Sequence, residues 1–183
     1  MIEQLAAWRG VKLHLGCGEH RLDGWINVDG QPNPRADLVL DLHADLECLP
    51  DGGCGWIYAA HVIEHLYPDK LPEVLAHLCR ALEPGGRLTL ATTDLIGIFE
   101  HRFLEADEGN AWEAALFGEV SSTDHPMAAH RNCFTYDKLA DLLAAAGFAR
   151  VRPWRTEQYP EIHALDDYAR SCSLVTCFAE GVR

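Results

Sequence analysis

Val11-Lys12-Leu13-His14-Leu15-Gly16-Cys17-Gly18 reads as a strand over its first five positions that runs into a glycine turn. Glycine lacks a Cβ and tolerates positive φ, so backbone can come close to a ligand at such a turn. A second apolar run, Trp25-Ile26-Asn27-Val28, ends in Asp29. Strand, glycine turn, second strand and an acid at its tip are the parts of a nucleotide-type site in a doubly wound α/β sheet, where the acid takes ribose hydroxyls.

Outward from that stretch the chain alternates. Ala36–Leu42 predicts a third strand after the breaker Gln31-Pro32-Asn33-Pro34, and Trp56–Ala60 a fourth, apolar throughout as a strand buried on both faces must be. A helix follows over Asp69–Leu82, with Asp69 as its cap and Pro72 in its first turn. Leu71, Val74, Leu75, Leu78 and Leu82 form its inward face, and Glu83-Pro84-Gly85-Gly86 stops it. Arg87–Thr92 predicts the fifth strand. Leu95–Phe134, with short helices near Ile98–Glu105 and Asn110–Phe117 and a loop over Ser121–Arg131, is too long for a plain connector and predicts a cap over a site. Thr135 caps a last helix closed by Gly147. Phe148–Trp154 and Ser173–Ala179 predict the final strands, around a polar loop over Arg155–Arg170. The alternation implies an α/β sheet with helices on both faces.

Composition narrows the function. The 183 residues suggest one domain, and the formal net charge of −13 disfavours nucleic-acid and anionic-membrane partners. There is no apolar run of membrane-spanning length, and Met1–Gly10 reads as a short amphipathic piece rather than a signal peptide. Seven cysteines, an odd number with no C-x-x-C pair, suit reduced thiols in a cytoplasmic protein.

Gly16-Cys17-Gly18-Glu19-His20-Arg21 has the first two glycines of G-x-G-x-x-G, but Arg21 replaces the third. With the short first crossover, this disfavours a nicotinamide oxidoreductase. The wider pattern resembles class I S-adenosylmethionine-dependent methyltransferases, particularly the small type 11-like members. The matching stretches are Leu13–Gly18, Gly24–Asp29, Asp45–Pro50, Ile57–Leu66, Leu82–Leu88 and Ala145–Phe148. The resemblance implies a Rossmann-like fold with a seven-stranded, mostly parallel sheet whose last strand is antiparallel, in a single domain over 1–183 with 95–134 as a substrate-side cap. It implies S-adenosylmethionine as cofactor. Gly16, Cys17 and Gly18 would meet its amino-acid end, and Asp29 its ribose. Asp45 and the Leu46 backbone would meet its adenine, the Ala60 carbonyl its ammonium, and His61 would lie next to the methyl. Asp41 competes with Asp45 for the adenine. The chain departs from the family at Gly55, often Asp there, and at Thr92-Thr93-Asp94, where Pro-Asp is frequent.

For methyl transfer to a small-molecule or sugar-like acceptor, His61 is the first choice of base and His130 the second, with Glu64 or Asp94 as orienters. His65 and His125 fall on the same edge. His14, His77 and His101 read as structural; Tyr67, Trp112, Phe117 and Tyr136 read as packing. Two rivals remain. A non-catalytic S-adenosylmethionine-binding protein would share the fold. A zinc hydrolase would use His61-Val62-Ile63-Glu64-His65, formally H-x-x-E-H on a helix, although that leaves the glycine turn and Asp29 without a role.

Overall fold

The computed structural model describes residues 7–104, 115–118, 129–163 and 176–183. Trp112, His125 and most of the Asn110–Phe117 and Ser121–Arg131 segments lie outside the described residues, as does the His101 side chain. Seven strands form one sheet: β1 (Val11–Leu15), β2 (Ile26–Asp29), β3 (Leu38–Val39), β4 (Cys54–Ala60), β5 (Leu82–Thr93), β6 (Arg150–Pro153) and β7 (Thr176–Val182). Their order is β3-β2-β1-β4-β5-β7-β6, and β7 runs antiparallel to both of its neighbours. The α-helices named here are α1 (Leu71–Ala81), α2 (Leu95–Leu104), α3 (Tyr136–Ala145) and α4 (Pro160–His163).

The period of two along the strands sorts side chains into two clusters. Leu13 and Leu15 of β1, Ile57 and Ala59 of β4, and Leu88 and Leu90 of β5 face Leu71, Val74, Leu75 and Leu78 of α1 and Leu139 and Leu143 of α3. This is the main core. The spacing of the α1 leucines is borne out, but its predicted cap is not. Lys70 holds the N-cap position with no side-chain capping bond, and the amides of Lys70 and Leu71 donate to Tyr67 O at 3.0 Å each. A preceding turn of backbone satisfies what Asp69 was expected to satisfy. Thr135 does cap α3: its Oγ1 accepts from Lys138 N at 3.3 Å. Gly147, at φ 103°, lies just beyond the helix end.

Glu83–Gly86, the expected helix stop, belongs to β5, which begins directly after α1. The register jumps from Cys54↔Leu82 to Trp56↔Arg87, so this stretch enters the sheet as a bulge. The third strand shrinks from the expected seven-residue span to Leu38–Val39.

Helices reach both faces: α1 and α3 pack on the main core, and the single-turn α4 meets the other face through Ile162. Residues 16–25 and 30–37 carry no helix. The face they leave is closed by Leu22, Trp25, Trp56, Tyr58, Trp154 and Ile162, the last from the single-turn α4. Trp25 and Trp56 meet edge-on at 4.8 Å, and Lys12 Nζ lies 5.6 Å from each ring. Arg87 covers Trp56 at 5.1 Å and Tyr159 at 5.5 Å. Large flat side chains lidded by cations cover what crossover helices would otherwise bury.

His14, on that face, organises the loop behind the glycine turn. Its Nδ1 lies 3.1 Å from Asn27 Oδ1, which also accepts from Leu22 N at 2.9 Å. Asn27 Nδ2 donates to Leu22 O and Trp25 O at 3.1 Å each. Asp37 accepts from Asn27 N at 2.9 Å and pairs with Arg21 at 2.8 Å. Arg21, which departs from the glycine pattern, thus anchors the loop to the approach of β3. Burial pushes the His14 imidazole down to about 4, against the bond to Asn27. The unfolded chain therefore binds the extra proton first as pH falls, and stability is lost below the ordinary histidine value near 6.5. In urea unfolding, wild type should lose about 2 kcal/mol between pH 7 and pH 4.5 through this group, a loss that His14→Gln should largely remove.

Candidate active site

The cleft opens at the carboxyl ends of β1, β2 and β4, beside the central strand, where open α/β sheets bind ligands. It measures about 230 Å³. Gly16, Val28, Asp29, Gly30 and Gln31 form one wall, Leu40–His43 a second, and His61, Val62, His65 and Leu66 a third.

Gly16 shows why the turn is glycine. Its φ is 63°, and a Cβ there would lie 2.3 Å from Val62 Cγ2. The β1 turn and the segment after β4 therefore touch. Cys17 N donates to Val28 O at 3.0 Å, and the Cys17 side chain is buried, which raises its thiol pKa. Gly18 N donates to Asp29 Oδ2 at 2.8 Å, and Gln31 N to Asp29 Oδ1 at 2.9 Å. One carboxylate thus holds the turn and the chain after β2, and each oxygen keeps a lone pair for a ligand hydroxyl.

The two candidate acids of the 41–46 loop take different places. Asp41 and Leu42 line the cleft, whereas Asp45 and Leu46 do not. Asp45 Oδ2 accepts from Asp41 N at 2.9 Å, so it positions the Asp41 backbone, and Leu46 is part of the main core. The competing acid, Asp41, is the one at the cleft. Gln31, His43, Val62 and Leu66 also line it; they follow a strand end or a predicted motif, which is the signal that could have found them.

At the tip of β4, Ala60 pairs with Ala91 and passes the chain to His61, which has φ 53°. A left-handed conformation at a histidine costs about 1–2 kcal/mol and persists where its surroundings fix it. His61 N donates to Ala91 O at 2.8 Å, and His61 Nδ1 lies 2.9 Å from Glu64 Oε1. Glu64 is fully buried. Its carboxylate also accepts from Thr92 Oγ1 at 2.8 Å and Thr93 Oγ1 at 3.4 Å. Burial pushes the Glu64 carboxyl up, but His61 and the surrounding hydrogen bonds outweigh it and hold the group below the ordinary range. A carboxylate only accepts, so His61 Nδ1 carries a proton, and in the neutral ring Nε2 has the lone pair.

The segment returning from the expected cap docks here. Arg131 N and Asn132 N donate to Glu64 O at 2.7 and 3.1 Å, and Arg131 Nη1 to His65 O at 2.8 Å. The His65 and His130 rings are 4.8 Å apart. Their Nδ1 atoms lie 3.2 and 2.9 Å from Ala129 O and Ala115 O. Burial pushes the His130 imidazole down. His130 is thus one ring removed from the cleft wall. Asp94 Oδ1 accepts from Ile96 N at 3.1 Å at the start of α2, so that oxygen serves the helix.

The helix a zinc hydrolase would need is not formed over residues 61–65: His61 is left-handed, and Ile63–His65 is a 3-10 turn. Among the described residues no three His, Cys, Asp or Glu side chains group to hold a metal, and no helix is long and apolar enough to cross a membrane.

The family model for a methyltransferase domain matches residues 13–152. No curated protein matches the chain. Among solved structures, an S-adenosylmethionine-dependent methyltransferase from Archaeoglobus fulgidus is 14% identical, with TM-score 0.58, over 100% of this chain and 89% of that one. A second, from Mesorhizobium loti, is 15% identical, with TM-score 0.54, over 100% and 95%. The Burkholderia thailandensis 1,6-didemethyltoxoflavin-N1-methyltransferase, solved with 1,6-didemethyltoxoflavin and S-adenosylhomocysteine bound, is 18% identical, with TM-score 0.56, over 100% and 76%. At these identities the likeness is one of fold.

The Gly16–Val62 approach yields a direct prediction. Gly16→Ala combines positive-φ strain with a clash and should cost about 2–4 kcal/mol in chemical denaturation, whereas Gly18→Ala, with open space around it, should cost about 1 kcal/mol.

Proposed function

This chain belongs to the methyltransferase-domain family, with S-adenosylmethionine as cofactor, and on that premise we propose that it methylates a small-molecule or sugar-like acceptor by in-line displacement. The observation that carries the acceptor chemistry is the His61–Glu64 pair, held in a strained backbone at the edge of the cleft.

The residues present fit the cofactor. Gly16 lets backbone approach where any side chain would strike Val62, and Asp29 has lone pairs to spare for two ribose hydroxyls. Asp41 and Leu42 take the adenine side, with Asp45 and Leu46 behind them. Gly18 and the Ala60 carbonyl serve the amino-acid end, and Cys17 supports the turn from behind. S-adenosylmethionine supplies a methyl group already activated as a sulfonium. The protein then has to align an acceptor lone pair, exclude water and remove a proton. His61 Nε2 receives that proton. Glu64, anionic and clamped by two threonine hydroxyls, keeps Nδ1 protonated and stabilises the imidazolium that forms. His130 is the second candidate base, from the cap side. Asp94 acts through the start of α2 rather than as an orienter of either histidine.

The architecture we propose is one domain over 1–183, with 95–134 as a substrate-side cap that suits an acceptor smaller than a folded protein. The acidic charge argues against nucleic-acid or anionic-membrane partners. Unpaired Cys17, Cys48, Cys54, Cys79 and Cys133 suit a cytoplasmic enzyme.

Calorimetric titration tests the cofactor site. Both S-adenosylmethionine and S-adenosylhomocysteine should bind at micromolar levels, and Asp29→Ala should weaken both about 100-fold as charge-assisted bonds to the ribose are lost. Wild-type protein that binds neither would overturn the assignment of the cleft. With an acceptor in hand, His61→Ala should lower kcat about 100- to 1,000-fold while leaving S-adenosylhomocysteine affinity within threefold. Unchanged turnover would remove His61 from its role as base.

A further inference from the structure

Tyr67, read from the sequence as packing, is 51% exposed. Three separate segments meet at its ring. From the cleft wall comes His43. Asp41 Oδ1 accepts from His43 N at 2.8 Å and lies 3.2 Å from His43 Nδ1. The carboxylate puts the ring proton on Nδ1, so Nε2 accepts, and it takes the Tyr67 amide at 3.3 Å. The two rings are 5.3 Å apart. From the cap return comes Arg131, its guanidinium 4.7 Å from the Tyr67 ring centre. Tyr67 itself directly follows Leu66, a cleft residue whose carbonyl accepts from Asn132 Nδ2 at 2.6 Å.

A half-exposed aromatic gains little from burial. Here it is the joint between the wall that faces the cofactor and the strand of chain that returns from the acceptor side. We propose that the His43–Tyr67–Arg131 stack makes Tyr67 a positioning residue: a cofactor in the cleft fixes the 41–43 wall, and Tyr67 passes that constraint to residues 129–132. The acceptor side is then completed after the cofactor binds. This rests on the cleft being the cofactor site. A ligand shifts such an equilibrium only by contacts that differ between its states, and here the differing contacts are those of the 41–43 wall.

Amide hydrogen exchange at Arg131 and Asn132, whose N–H groups both bond to Glu64 O, reads the coupling without any acceptor. In wild type and Tyr67→Phe, saturating S-adenosylhomocysteine should slow both amides roughly tenfold or more. In Tyr67→Leu, which keeps the amide but loses the ring, the slowing should fall below about threefold while the ligand still binds. His43→Ala breaks the same link from the other side and should give the same loss, which guards against a Tyr67 variant that fails to fold. Equal slowing in Tyr67→Leu and wild type, or no slowing in ligand-bound wild type, overturns the coupling alone. A folded Tyr67→Leu that no longer binds S-adenosylhomocysteine also overturns it, since Tyr67 would then be part of the cofactor site; His43→Ala, whose residue lines the cleft, is read at ligand concentrations that saturate it. Wild type that does not bind the ligand overturns the cofactor assignment and the coupling with it.

Discussion

A fully buried carboxylate is costly to desolvate, by several kcal/mol, and it is tolerated only where its bonds are complete. Glu64 is such a group. Its side chain joins the tip of β4, through His61, to the tip of β5, through Thr92 and Thr93. Its backbone carbonyl receives the two amides of the returning cap segment. Remove the carboxylate and the two strand tips lose their common partner, while the cap segment keeps the carbonyl. The left-handed His61 follows from this constraint, because the ring must turn back toward a carboxylate three residues along while its amide stays on Ala91. Through Val62, the same segment presses against Gly16. The cleft therefore inherits its shape from one buried charge.

Much of the sheet was legible because each strand carries its own signal. β1 has the expected bounds, and the apolar run of β4 is buried on both faces, as its composition demands. Leu71, Val74, Leu75 and Leu78 face the core where helical spacing puts them. Signals that depend on partners were harder to read. Nothing local says that Tyr67 O rather than Asp69 would cap α1, or that Glu83–Gly86 would be drawn into β5 by pairing with β4. The length of β3 is set by what β2 offers it, not by the apolar character of Ala36–Leu42.

The site shows the same division. Gly16, Asp29 and His61 all line the cleft, and a turn, a strand tip and a motif each advertise them in the sequence. Asp41 and Asp45 could not be separated, since both are acids in one loop and only the bond from Asp41 N to Asp45 shows which supports the other. Thr92 and Thr93 read in the sequence only as a departure from the family pattern. They prove to be the hydroxyl clamp on Glu64, a role that requires β4 and β5 to be neighbours. Gly55, another departure, has a similar origin: a Cβ there would come within 3.3 Å of the Gly10 backbone.

The placement of β7 bears on how the molecule is made. It lies between β5 and β6, both of which precede it in the chain. As the polypeptide emerges from the ribosome, the parallel half of the sheet can assemble while the outer edge of β5 waits with open amides and carbonyls. β6 has no sheet neighbour until the later strand arrives. The step that closes the sheet is therefore an insertion between two waiting strands, joining residues as far apart in sequence as Arg87 and Val182. Long-range pairings of this kind are slow to form. Newborn chains would carry a sticky margin during that interval, one that a chaperone could shield and that a stalled ribosome would prolong.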